Sequence, residues 1–109
     1  VELAIQFAVA HNVVLVLKGI PSLVAFPTGE VYINTQGNPG MGTGGMGDSL
    51  TGIITAFVAQ GYSLQSAALL GVYVHSRSAD ILAEEKPWGY TPSDVSQSVG
   101  LVIQELLKG

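Results

Sequence analysis

The chain has 109 residues, with four Lys and Arg against eight Asp and Glu, for a net charge of −4. The four bases Lys18, Arg77, Lys86 and Lys108 are scattered, which excludes the basic footprint of a nucleic-acid binder. No apolar run has the length of a membrane span and no secretory signal is visible, and the absence of cysteine is compatible with the cytoplasm. Hydrophobic residues make up 48% and charged residues only 11%, where about 25% charge is usual, so more apolar surface is present than a domain this small should hide. The excess is expected to face the rest of a larger domain or a partner subunit.

Val1 to Ala10 carries Leu3, Ala4, Phe7, Ala8 and Ala10 near helical spacing, with His11-Asn12 as its end. It starts without a cap. Val13 to Leu17 is an unbroken aliphatic run, which predicts a strand buried on both faces of a parallel sheet. Lys18-Gly19 follows at its C-terminal edge, where open α/β sheets bind ligands. Taken alone, Lys18 reads equally as a surface lysine whose stem covers apolar atoms. Leu23 to Pro27 and Val31 to Asn34 flank Thr28-Gly29-Glu30, a hairpin pattern. Thr35 to Met46 is a long loop, the kind usually kept for function, and Asn34 and Asn38 are placed to brace it through side-chain bonds to backbone.

The stretch Asn38 to Gly52, NPGMGTGGMGDSLTG, has five glycines before Asp48 and Gly52 after it. Three phosphate loops compete for it. A Walker loop needs Lys after Gly42 and Gly47 at their spacing, but Asp48 stands there. Gly42, Gly44 and Gly47 fit a dinucleotide fingerprint, yet Asn38-Pro39-Gly40 separates them from any strand, and Ala67 to Leu70 stand where the ribose-binding acid belongs. The third reading takes Gly44 to Asp48 as a unit. The amides of Gly45, Met46 and Gly47 would hold a transferring phosphoryl group at a helix mouth, and Asp48 would take the proton of an acceptor hydroxyl. Asp48 could instead merely cap the helix. The density of glycine favours a site, because an ordinary helix entry needs only one or two.

Asp48 to Gln60 reads as a helix with Leu50, Ile53, Ile54, Phe57 and Val58 on its packed stripe and Gly61 as its stop. Gly52 within it would serve close packing or leave room for a nucleotide. Ser63 should cap the next helix, which runs to about Glu85 with Ala67, Ala68, Leu70, Gly71 and Val74 in tight contact. His75 and Asp80 interrupt that face, and with no further ligands near, a buried, hydrogen-bonded His75 is preferred to a metal ligand. Lys86 to Tyr90 breaks the helix, with Trp88 and Tyr90 read as loop anchors in preference to bordering a nucleotide or an oligomer interface. Thr91-Pro92-Ser93-Asp94 then opens a last helix to Lys108, with Val95, Val99, Val102, Ile103, Leu106 and Leu107 inward.

Gly44-Gly45-Met46-Gly47-Asp48, with Leu50 and Gly52 behind it, resembles the anion-hole motif of ribokinase-like kinases. Asn38-Pro39-Gly40-Met41-Gly42-Thr43 narrows the resemblance to the ADP/ATP-dependent NAD(P)H-hydrate dehydratases. Ser49 departs from the more usual Thr or Val, and Ser22 from Thr; neither removes a group the chemistry needs. The resemblance implies an α/β, three-layer ribokinase-like fold with a mainly parallel sheet flanked by helices, residues 1–109 being the C-terminal portion of one such domain. It places Lys18, Gly19, Ile20, Pro21 and Ser22 near an adenosine monophosphate moiety, Gly44, Gly45, Met46 and Gly47 around the phosphate, and Asp48 on the substrate as catalytic base. It implies a cytoplasmic repair enzyme that phosphorylates the 6-hydroxyl of hydrated NADH or NADPH and then loses phosphate. ADP or ATP would be the donor, with a divalent cation such as Mg2+ bridging its phosphates, and the enzyme would be a homo-oligomer. A vitamin-precursor or sugar kinase of the same superfamily, and an inactive nucleotide-binding assembly subunit, are the alternative expectations.

Overall fold

The apolar patterning resolves into three layers in a computed structural model, which describes residues 1–19, 21–42, 44–86 and 88–108. In chain order the elements are α1 (Glu2–His11), β1 (Leu15–Leu17), β2 (Ser22–Ala25), β3 (Val31–Asn34), a 3-10 turn (Pro39–Gly42), α2 (Met46–Ala59), α3 (Leu64–Glu85) and α4 (Pro92–Lys108). Side chains alternate across a strand, and β2 shows it. Val24 and Phe26 pack with Leu50, Ala68 and Val72 of α2 and α3, while Ala25 packs with Ala4 and Ala8 of α1 on the other face. Each fully buried valine here contributes on the order of 1.5–3 kcal/mol. Helix α4 lies against α3 and α2. No helix among the described residues is long and apolar enough to cross a membrane.

The expected parallel pairing is corrected. The sheet runs β1-β2-β3 with both pairs antiparallel, Val16 opposite Val24 and Val24 opposite Tyr32. The connections, residues 18–21 and 26–30, are too short for anything else, since parallel neighbours need a crossover of about a dozen residues or more. The hairpin itself is as expected, closed by Phe26 N–H to the Glu30 carbonyl at 2.9 Å. Strand β1 is also shorter than the aliphatic run, and Val13 and Leu17 are exposed.

The helix caps follow the sequence closely. Ser63 Oγ accepts from Ser66 N–H at 3.1 Å at the start of α3. Thr91 and Asp94 exchange bonds of 2.9 and 3.2 Å ahead of α4. The Thr91 amide and hydroxyl hold the Asp94 carboxyl below the usual carboxylate range. Gly61 follows α2 at φ 98°. The packed stripes are narrower than expected. Helix α1 buries only Ala4 and Ala8, leaving Leu3 80% exposed, and α4 leaves Ile103, Leu106 and Leu107 in solvent. Val58 of α2 is exposed too, and Gly52 faces open space. Close packing of α3 on α2 instead requires Gly71, whose Cβ would strike Ile54.

Candidate functional site

Helix α2 begins at Met46, ahead of Asp48, with Gly45 as its N-cap at φ 92°, a conformation that only glycine takes without strain. Met46 is buried against Ala79, Tyr90 and Val95, which pins the first turn from below. The amides of that turn have no partner within the helix, and among the described residues they make no backbone bond to another segment. They form a positive mouth.

Lys18 joins them. A Cβ on Gly47 would lie 2.6 Å from Lys18 Nζ and 3.4 Å from Lys18 Cε, so the lysine reaches across the first turn through space that glycine leaves. The ion pair seen among the described residues is elsewhere, between Arg77 and Glu105, so the ammonium adds its charge to the helix mouth without a carboxylate partner there. Behind Lys18, Gly19 N–H donates to Ser22 Oγ at 3.3 Å and Ser22 O–H returns to the Gly19 carbonyl at 3.0 Å, which folds the turn after β1 back on itself. Pro21 is exposed beside it, and Ile20 lies outside the described residues.

Asp48, in the first turn of α2, is exposed and makes no hydrogen bond among the described residues, so it does not act as a cap. It borders an open cavity of about 470 Å³ lined also by Gly45, Ser49, Pro92, Ser93, Ser96 and Gln97. Gly44 stands exposed at the approach. The arrangement therefore offers an anion two kinds of positive group, and offers a hydroxyl an acid on the same helix turn. Among the described residues no cluster of three or more His, Cys, Asp or Glu is built to hold a metal.

Helix α3 braces the loop that leads into this turn. Asn34 Nδ2 donates to Ser76 Oγ at 2.7 Å and to the Gln36 carbonyl at 3.4 Å. Asp80 accepts from Gly37 N–H at 2.9 Å and from Asn38 Nδ2 at 2.8 Å. Asn38 Oδ1 accepts from Gly40 N–H at 3.1 Å and from the Tyr90 hydroxyl. The bracing by Asn34 and Asn38 follows from the sequence; the parts played by Asp80 and Tyr90 do not, since both come from far along the chain. An acid set in a face of small residues was the signal available. Trp88, paired with Tyr90 in the sequence reading, is 67% exposed, whereas Tyr90 is buried.

His75 is buried as expected. Burial lowers its pKa, the nearby Lys18 charge lowers it further, and a backbone hydrogen bond to Met46 opposes them. It is thus buried and hydrogen-bonded, as expected, while its Nε2 has no partner among the described residues. His11 sits at the end of α1 with its ring 4.2 Å from Phe7, far from this arrangement in role.

Comparison with known proteins covers the same stretch of chain. A family model for NAD(P)H-hydrate dehydratase matches residues 1–100. The ADP-dependent (S)-NAD(P)H-hydrate dehydratase of Xanthomonas campestris is 35% identical over 109 residues, 99% of this chain and 38% of that protein. The bifunctional NAD(P)H-hydrate repair enzyme of Moorella thermoacetica is 46% identical over 85 residues, 78% of this chain and 16% of that protein. Among solved structures, an ADP/ATP-dependent NAD(P)H-hydrate dehydratase from Bacillus subtilis, co-crystallised with ATP/Mg2+, matches with a TM-score of 0.90 at 30% identity, over 95% of this chain and 38% of that one. A ribokinase-like superfamily protein from Enterococcus faecalis matches with a TM-score of 0.83 at 34% identity, over 92% of this chain and 34% of that one. The chain thus spans well under half the length of these relatives.

Proposed function

The chain belongs to the NAD(P)H-hydrate dehydratase family, with a ribokinase-like fold, and from that premise we propose that it carries the phosphoryl-transfer centre of a nucleotide-dependent repair enzyme for hydrated NADH or NADPH. Residues 1–109 would be the C-terminal portion of one domain, and the exposed Leu3, Phe7 and Leu107 supply apolar surface for its remainder or for a second copy to cover.

The observation that carries the reading is the convergence of Lys18 Nζ on the Gly47 turn, beside an exposed Asp48 that makes no hydrogen bond among the described residues. In this reading Asp48 accepts the proton of the 6-hydroxyl. The hydroxyl oxygen bonds to the terminal phosphorus of ADP or ATP, and the bond to the nucleotide breaks with its electron pair. The amides of Gly45, Met46 and Gly47 and the Lys18 ammonium stabilise the charge on the moving group, which is most of what such a transfer requires. Gly19, Ile20, Pro21 and Ser22 would line the adenosine monophosphate moiety, with Gly44 at the phosphates. The C6–O bond then breaks, phosphate leaves with the bonding pair, the ring nitrogen supplies its lone pair, and loss of a proton from the adjacent carbon restores the dihydropyridine. A divalent cation would be held by the nucleotide phosphates rather than by a cage of side chains, as suits Mg2+. The reading sets the enzyme in the cytoplasm with these cofactors.

The test is Asp48→Asn in the complete polypeptide. Recovery of NAD(P)H should slow by roughly 10²–10⁴-fold while nucleotide still binds. Near-normal turnover would overturn the assignment. Free phosphate in the wild-type product, with none retained on the organic product, separates repair from simple kinase action.

A further inference from the structure

We propose that Asp80 is a positioning residue that sets the shape of the glycine loop, and so the aim of the helix mouth; this rests on the phosphoryl-transfer reading above. An ionised carboxylate only accepts hydrogen bonds, and both Asp80 oxygens are used, one by Gly37 N–H and one by Asn38 Nδ2. That choice fixes which way the Asn38 amide points. With its nitrogen turned to Asp80, its oxygen faces away and gathers Gly40 N–H and the Tyr90 hydroxyl. Burial raises the Tyr90 pKa, so the phenol keeps the proton it donates. Gly40 then lies in the 3-10 turn that precedes Gly45.

The same tyrosine closes the circuit. Tyr90 packs against Met46 and Ala79, so it touches the turn before the glycine run through Asn38 and the first residue of α2 through Met46. Asp80 is one residue from Ala79 on a helix of 22 residues, a stiff base for both contacts. A carboxylate repels phosphate, so what Asp80 contributes is loop geometry and not anion affinity. If its acceptor is replaced by an amide, a donor faces a donor, Asn38 loses its orientation, and the grip on Gly40 and Tyr90 goes with it. A displacement of about 1 Å at a reacting centre costs on the order of 10²-fold in rate.

The experiment compares Asp80→Asn, Asn38→Ala and the double variant in the complete polypeptide, by steady-state kinetics and by amide hydrogen exchange of residues 35–42. Asp80→Asn should lower kcat by about 10–100-fold while the nucleotide KM moves less than about 3-fold, the split expected when positioning and not binding is lost. Exchange at Gly37 and Gly40 should rise at least about 10-fold. The double variant should be no slower than the slower single, because both act through one geometry. Unchanged exchange, or losses that multiply, would overturn the proposal. Should Asp80→Asn not fold, Asn38→Ala alone must still release Gly40 and lower kcat, or the proposal falls. Exchange is read without turnover, so this outcome stands apart from the fate of Asp48→Asn.

Discussion

Helix α3 makes a two-point polar contact with each of two segments, the glycine loop and α4, through residues less than one turn apart. At the loop, Asp80 takes Gly37 N–H and Asn38 Nδ2 at 2.9 and 2.8 Å. At α4, Arg77 gives Nε and Nη2 to the Glu105 carboxylate at 3.2 and 3.0 Å. The bonds at Asp80 are the shorter, though both pairs lie within hydrogen-bonding distance. The difference lies in what surrounds them: Asp80 works beside the buried Ser76, Ala79 and Tyr90, whereas the Arg77 and Glu105 side chains are 27% and 44% exposed. A paired contact fixes its neighbours where water cannot replace it, and fixes little where water can. Variants of the two contacts should therefore differ in kind as well as in size.

The largest effect is expected inside the braced loop. A Cβ on Gly40 would meet the Tyr90 ring at Cε2, with Cζ and Oη both at 2.7 Å. Tyr90 is walled in by Met46, Ala79 and Val95 and cannot retreat. Gly40→Ala should cost about 1–3 kcal/mol as overpacking, measured by chemical denaturation of the complete polypeptide. Turnover should fall by at least about 10-fold, because the loop must give way to the ring. Wild-type stability with wild-type turnover would show that this contact is no stiffer than the other.

An intermediate effect belongs to His75, one helical position from Ser76. Its folded pKa is depressed by burial and by Lys18, while the unfolded chain titrates near the ordinary value of 6.5. Below that value the unfolded state takes a proton that the folded state refuses. Stability is therefore fullest above pH 6.5 and declines as pH falls below it toward the folded pKa. Melting temperature measured from pH 7.5 to about 5 should drop with this slope, and His75→Gln should flatten it. An identical slope in the variant would assign the pH dependence to other groups.

These expectations divide along the line that separates legible from illegible features. The caps at Ser63 and Thr91, the Gly61 stop, the hairpin and the glycine run ending in Asp48 were readable because each is written within a few adjacent residues. Strand direction was not, since five aliphatic residues from Val13 to Leu17 say that a strand is buried and nothing about its neighbour. The inward stripes of α1 and α4 were drawn too wide, as Leu3 and Leu107 show, because periodicity marks an apolar face without saying what covers it. Asp80 was visible only as an interruption. Its partner Asn38 lies 42 residues away, and no local pattern connects them.

The smallest effect is expected at Arg77→Ala. The pair joins α3 to α4 at the surface, where solvent screens the charges and two long side chains lose freedom to meet. Such pairs are worth about 0.2–1 kcal/mol, and the loss should shrink further in high salt, within the screening length of about 3 Å reached at 1 M. Part of any residue would come from the aliphatic stem of Arg77 and persist in salt. Denaturation of the variant at low and high ionic strength separates the two, and turnover should stay at the wild-type level throughout. A loss above about 2 kcal/mol, or a slower enzyme, would mean that the α3–α4 contact also steers the site, and the contrast between the two contacts would be gone.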